Sequence, residues 1–270
     1  MGLTALAVVV LASLVAPLIA PHDPLDPNIA LRLRPPIWEQ RGVDTYLLGT
    51  DQLGRDLLGR ILYGARFSLL VAGAAVLLSA LVGVAAGLAA GYFGGRVDQI
   101  ITRLADVQLA VPSLLLAITM LAVLSPSLPN LIVVLAISGW VAFCRLVRGN
   151  VLYLRQREFV EAARVIGCGD GRIILRHLMP NLWPTVIVVA TLQLAQFMIA
   201  EASLSFLGLG ILPPLPSWGN MINEGRTYID TAWWIQAFPG IAMIVAVSAI
   251  GLTGDWLRSL LDPRAHYRIV

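Results

Sequence analysis

The sequence predicts an all-α integral membrane protein with six transmembrane helices, and three observations predict it. Charged residues make up only 13% of the 270-residue chain, against about 25% in soluble domains. Mean hydropathy is +0.80, and 58% of the residues are hydrophobic. The apolar residues also gather into six runs: roughly residues 2 to 20, 68 to 92, 100 to 124, 129 to 149, 182 to 209 and 233 to 254. Each matches the ~20 residues that an α-helix needs to cross a bilayer.

The first run resembles a secretion signal, but it has no basic segment at its start, and Pro21 follows the only small-residue cleavage site. It is read as span one. Residues 21 to 67 follow as an outer segment. PHDPLDPN and RPP in it are extended by composition. Beyond Thr50, Leu53, Leu57, Ile61 and Ala65 share one helical face, with Thr50 or Asp51 as cap. This predicts a lead-in helix lying on the outer surface.

Gly94 and Gly95 make the next turn, and Pro112 is expected to kink span three. Asp106 lies about two turns into that span, where pairing with a neighbouring Arg or snorkelling is favoured over a functional role. Span five ends with the small residues Ala200, Ala202, Ser203, Ser205, Gly208 and Gly210, which let helices approach closely. Glu201 is the one acid in that span. It is either a functional intramembrane carboxylate or the partner of a residue on another subunit near the outer face. PPLPSWG cannot continue a helix and is expected to fold back at the mouth of a pore. Gly251 and Gly254 are expected to loosen the end of span six, and Asp262-Pro263 to stop a short tail helix.

Between spans four and five stands the longest polar interval of the second half, REFVEAARVIGCGDGRIILRHLMPN, residues 157 to 181. Phe159, Ala162, Ala163 and Ile166 fall on one helical face. Gly167 and Gly169 stop that helix, Asp170 is placed to cap a second one, and Pro180 marks the turn into the next span. Such a helix-turn-helix either lies in the membrane interface or docks another protein. Its apolar face is shallow, as close approach of a protein requires.

All 19 basic residues are Arg, and the sequence pI is 9.2. They flank the apolar runs as topology signals do, so the basic balance does not point to nucleic acid. With both ends inside, inner segments hold twelve Arg and outer segments seven, which favours that orientation. Without Lys the chain has no residue to serve a Walker A phosphate loop, so it is expected not to hydrolyse ATP itself. Cys144 and Cys168 are too few for a disulfide scaffold or a metal cluster. The three His, at 22, 177 and 266, are far apart. An ion-coupled secondary transporter would need acids or His near the bilayer midplane, and only Asp106 and Glu201 qualify. An intramembrane hydrolase would need a His inside a span, and there is none.

Glu161-Ala162-Ala163, then Gly167, then Met179-Pro180 resembles the EAA motif of ABC importer permeases, the cytoplasmic loop that docks on the ATPase subunit. His177 and Met179 depart from the general pattern in the way of the dipeptide, oligopeptide and nickel branch. GTDQLGRDLLGRILYGAR, the block around Glu201 and the ending GLTGDWLRSLLDPR are similar to the same branch, closest to its C-type dipeptide subunit. The resemblance covers about residues 47 to 264 and implies a type I ABC importer permease fold, like that of methionine importers. The expected organisation is span one at 1–20, an extracytoplasmic segment with an amphipathic surface helix at 21–67, a permease core of five spans at 68–257 with a coupling loop at 155–181, and a cytoplasmic tail at 258–270.

Coupling would fall to Glu161, Ala162, Ala163, Arg164, Gly167 and Pro180, with Asp106, Glu201 and Ser205 as residues of the path or of a subunit interface. The implied partners are a second homologous permease chain, two cytoplasmic ATPases that use ATP and Mg, and an extracytoplasmic substrate-binding protein. This chain itself would bind no cofactor. Sparse charge in the spans suits peptides better than a bare cation, with nickel and glutathione importers as alternatives. The implied location is the cytoplasmic membrane of a bacterium or archaeon.

Overall fold

The computed structural model describes residues 2–19 and 22–261, and of residues 18 and 19 the backbone alone. Residue 20, the expected stop at Asp262-Pro263, and the tail with Arg264, His266 and Arg268 lie outside the described residues.

Among the described residues every element is helical, in the order α1 (Gly2–Ile19), α2 (Leu57–Phe93), α3 (Gly95–Leu109), α4 (Ser113–Leu124), α5 (Leu128–Leu154), α6 (Glu158–Val165), α7 (Asp170–Arg172), α8 (Met179–Phe206), α9 (Trp218–Arg226) and α10 (Trp234–Leu261). A π-helical stretch, Ile173–Leu178, joins α7 to α8 in one continuous helix, Asp170–Phe206. Four helices are long and apolar enough to cross a membrane: α2, α5, Asp170–Phe206 and α10. A fifth passage is counted if α3 and α4 are one broken span. Helix α1 contributes a shorter apolar stretch, Gly2–Pro17, packed on α10 and α2.

Three expectations are corrected here. The separate lead-in helix does not exist. Its residues belong to α2, whose 37 residues reach about 55 Å at ~1.5 Å each, well beyond a ~30 Å hydrocarbon core. Nothing between Leu57 and Phe93 breaks a helix. Leu57, Ile61 and Ala65 are buried on one face as expected, while Leu53 lies before the helix and is 42% exposed. The cap is Asp56, whose carboxylate accepts from the Gly59 N–H at 3.1 Å, and not Thr50 or Asp51. Span three is two helices meeting at 88°. Pro112 starts the second, because proline bars helical backbone at the residue before it and offers no N–H to the turn. Gly251 and Gly254 do not loosen α10, which runs through both. At Gly254 a Cβ would stand 2.7 Å from Thr191 Oγ1, so this glycine serves close packing on α8.

The centre of the molecule is the α2–α5 pair. Ser79, Gly83, Gly87 and Gly91 recur every four residues along one face of α2 and are buried. A Cβ at Gly83 would lie 2.3 Å from the Trp140 carbonyl, at Gly87 2.6 Å from that of Cys144, and at Gly91 2.8 Å from Val151 Cβ. The glycines therefore let the two backbones touch, which is how helices associate where no hydrophobic effect drives them together. Ser79 Oγ closes the row by donating to the Ala136 carbonyl at 2.9 Å. Around this pair lie Leu121, Leu131, Leu135, Phe143, Leu182 and Met198, all nearly or fully buried. Leu77, Leu81 and Val123 are 73%, 69% and 80% exposed, as lipid-facing side chains would be.

Candidate functional site

At the end of the molecule where α2 stops, α6 stands beside the start of the long helix Asp170–Phe206. Helix α6 ends in a two-bond C-terminal cap. The Gly167 N–H donates to the Arg164 carbonyl at 3.0 Å and the Cys168 N–H to that of Ala163 at 3.0 Å. Gly167 has φ +80, the left-handed conformation that this cap requires and that glycine adopts without a Cβ penalty.

Val160 and Ala163 turn inward, at 0% and 2% exposure. They belong to the same buried cluster as Ile173 and Leu178. The predicted apolar face is thus split, with Ala163 inside and Phe159, Ala162 and Ile166 outside. Glu161, Ala162, Arg164 and Gly167 are exposed, beside Val165 and Ile166 at 87% and 79%.

The segment is tied to α2 at one residue. The Tyr92 hydroxyl donates to Asp170 Oδ1 at 2.6 Å, and the Arg164 guanidinium lies 5.7 Å from the Tyr92 ring centroid. Arg155 Nη1 donates to the Gly91 carbonyl at 3.0 Å, which fixes the end of α5 on the same turn. Asp170 therefore does not cap a helix: Gly169 occupies that position, and the Asp170 carboxylate serves Tyr92. Pro180 makes no turn either. It sits in the first turn of α8. The π-helical stretch before it widens the backbone there, and Asn181 Nδ2 takes the His177 carbonyl at 2.7 Å.

The remaining predicted residues lie elsewhere. Asp106, half-exposed on α3, pairs with Arg145 Nη2, in keeping with a structural role. Glu201 is fully buried. It accepts from Ser205 Oγ at 2.6 Å and Ser68 Oγ at 2.9 Å. Its carboxylate thus joins α2 and α8 within one chain. Ser205 also accepts from the Ile211 N–H at 3.3 Å, which starts the return of the chain after α8.

A cluster at the opposite end of α2 was missed. Asp51 Oδ2 accepts from Arg55 Nε at 2.6 Å and Arg60 Nη1 at 2.5 Å. Arg60 Nη1 also donates to Glu224 Oε2 on α9 at 2.7 Å, which Gln52 Nε2 reaches at 2.9 Å. Asp51 and Arg60 are 0% and 2% exposed. Burial pushes the Glu224 carboxyl up, but hydrogen bonding and charge from Arg60, then Gln52 and Arg55, outweigh it and hold the group below the usual carboxylate range. Trp234 Nε1 donates to the Thr50 carbonyl at 3.1 Å and Trp218 Nε1 to that of Ile61 at 2.9 Å, so α9, α10 and the outer segment close over the start of α2. Among the described residues no group of three His, Cys, Asp or Glu is placed to hold a metal ion.

Residues 83–267 match the model of the binding-protein-dependent transport system inner membrane component family. The chain is 42% identical over 263 residues to the di/tripeptide transport system permease protein DppC of Pseudomonas aeruginosa, covering 97% of this chain and 87% of that one. It is 40% identical to the dipeptide transport system permease protein DppC of Haemophilus influenzae, over 97% of this chain and 89% of the relative. Identity to the glutathione transport system permease protein GsiD of Escherichia coli is 45% over 80% of this chain and 71% of the relative. The structure is similar in fold to the permease chain of the MetNI methionine ABC transporter, with a TM-score of 0.60 at 18% identity over 75% of this chain and 96% of that one. This is the type I importer fold. The chain belongs to the binding-protein-dependent transport system inner membrane components, the permeases of ABC importers, on the branch that holds the dipeptide and glutathione permeases.

Proposed function

We propose that this chain is the transmembrane subunit of an ATP-driven importer of di- and oligopeptides, and that α6 with the Gly167 turn is where partner ATPases engage it. The observation that carries the coupling role is the exposed surface Glu161–Gly167, held in shape by its own cap and tied to α2 through Tyr92 and Asp170. A short helix that keeps its own cap and is tied to α2 moves as a unit, which is what alternating access needs to pass nucleotide-driven closure of the ATPases into the spans.

In this reading the chain crosses the cytoplasmic membrane six times, counting α1 and the bent pair α3–α4. Both ends and the α6 segment face the cytoplasm. The complex is completed by a second homologous permease, two ATPases that bind ATP and Mg, and an extracytoplasmic binding protein that selects the substrate. The names of the relatives matched over 97% of the chain support peptides. The glutathione permeases, also above 40% identity, support glutathione as the second reading.

The test is uptake of labelled dialanine and labelled glutathione by the reconstituted complex, with Glu161→Lys and Gly167→Val beside the unsubstituted chain. Dialanine uptake and retention of the ATPases on affinity purification are both expected to fall in each variant. Undiminished uptake in both removes the coupling role, and uptake of glutathione without dialanine replaces the substrate.

A further inference from the structure

Between α4, α5 and α8 lies a cavity of about 120 Å³, bordered by Ser113, Leu135, Ser138, Gln193, Gln196 and Phe197. Its depth follows from the helices that make it. A Cβ on Gly139 would touch Phe197, Ser79 Oγ and Gln193 Nε2 at 2.3, 2.8 and 2.9 Å, so α2, α5 and α8 cross there. Ser79, Gly139 and Gln193 each lie near the middle of a long helix, so with these helices read as spans the crossing falls within the membrane.

The cavity carries no charge, and its walls are mostly apolar, with the side chains of Ser113, Ser138, Gln193 and Gln196 as the polar groups at its border. Gln193 Nε2 reaches the Gly139 carbonyl at 3.5 Å and Ser138 Oγ donates to the Val134 carbonyl at 2.9 Å. Gln196, three residues along α8, is exposed. A carboxamide facing hydrocarbon would leave two N–H donors and a carbonyl unsatisfied, at several kcal/mol. Gln196 therefore faces water, a solute or protein.

We propose that this cavity is a subsite on the transport path that receives one backbone amide of the passing peptide. This rests on the importer reading above and names the part of the substrate that the path touches. Carboxamides and hydroxyls offer both donors and acceptors, which match the N–H and C=O that every peptide carries and are indifferent to its side chains. A transition metal ion would call for imidazole, thiolate or carboxylate, and none borders the cavity.

The experiment uses the complete reconstituted complex. Gln196→Leu is expected to lower dialanine uptake about tenfold, the worth of a lost neutral hydrogen bond, and to leave ATP hydrolysis stimulated by the loaded binding protein unchanged. Gln196→Asn should recover part of the uptake. In a chain with Cys144 and Cys168 replaced by Ala, Gln196→Cys should react with a charged, water-soluble methanethiosulfonate, and excess dialanine should slow the reaction. Uptake undiminished in Gln196→Leu, or a Gln196→Cys thiol that is unreactive or cross-links to the partner permease, overturns the subsite and leaves the importer reading intact. An unsubstituted complex that takes up no dialanine overturns both.

Discussion

Where α2 begins, two arginines and Asp51 are buried and, through the partly buried Glu224, tie residues 51–60 to α9. Where α2 ends, the α6 segment is held by one tyrosine hydroxyl, one guanidinium and a short buried stripe, with most of its polar side chains in solvent. The first arrangement is costly to disturb, because removal of any one member strands a charge out of water. The second can yield at small cost while keeping its internal shape. In the proposed reading, a transporter pushed at the α6 end draws on that contrast, with a fixed cover at one end of α2 and a compliant joint at the other.

The contrast is broken most directly at Asp51. Asp51→Ala leaves Arg55 and Arg60 with Glu224 alone and is expected to cost about 3–5 kcal/mol. It should be read as a large fall in the thermal unfolding temperature of the detergent-purified chain. A variant as stable as the unsubstituted protein would show that the outer cluster is not what fixes that end.

Acid should act on the same end. The folded protein holds Glu224 below its ordinary value, so its ionised form contributes stability that is complete above the unfolded pKa of about 4.3 and is lost as pH falls through the folded value. Thermal unfolding followed from neutral pH downward should lose stability in that window, and Glu224→Gln should flatten the loss. The same acid slope in both proteins would assign it to other carboxylates.

The smallest effect is expected at the driven end. Tyr92→Phe removes the bond to Asp170, about 0.5–1.5 kcal/mol, and should leave global unfolding nearly unchanged while raising amide hydrogen exchange across residues 158–172. A fall in global stability as large as that of Asp51→Ala would erase the difference between the two ends.

The helix at 158–165 and its glycine stop were legible because their signals are local: an amphipathic stretch, then a glycine at the left-handed position. The outer cluster was not, since Arg60 and Glu224 are 164 residues apart in the chain. Arg55 and Arg60 were counted as free topology charges, although both are buried and paired. Arg148 with Asp98 and Arg145 with Asp106 are likewise paired on the other side, so a tally of Arg alone overstates the net charge of both. The run at 100–124 passed a length test that is blind to direction, and Pro112 marked the break without giving its angle. The division between lead-in helix and span two was drawn where composition changes, but the backbone meets no breaker there. One signal was available and went unread: the four-residue repeat Ser79, Gly83, Gly87, Gly91, which names the face of α2 that touches α5.

That repeat also constrains how the gene can vary. Tyr92 stands one residue beyond the last glycine of the row, so the hydroxyl that meets Asp170 is set at a fixed turn of about 100° from the face that meets α5. A single codon inserted or deleted between Gly83 and Tyr92 would turn everything after it by about 100°, lifting the remaining glycines off α5 and swinging the tyrosine away from its carboxylate. An insertion of four codons would nearly restore the phase but push the tyrosine about 6 Å along the axis. Codon for codon, the segment can exchange side chains on its lipid face freely, while its length admits no change.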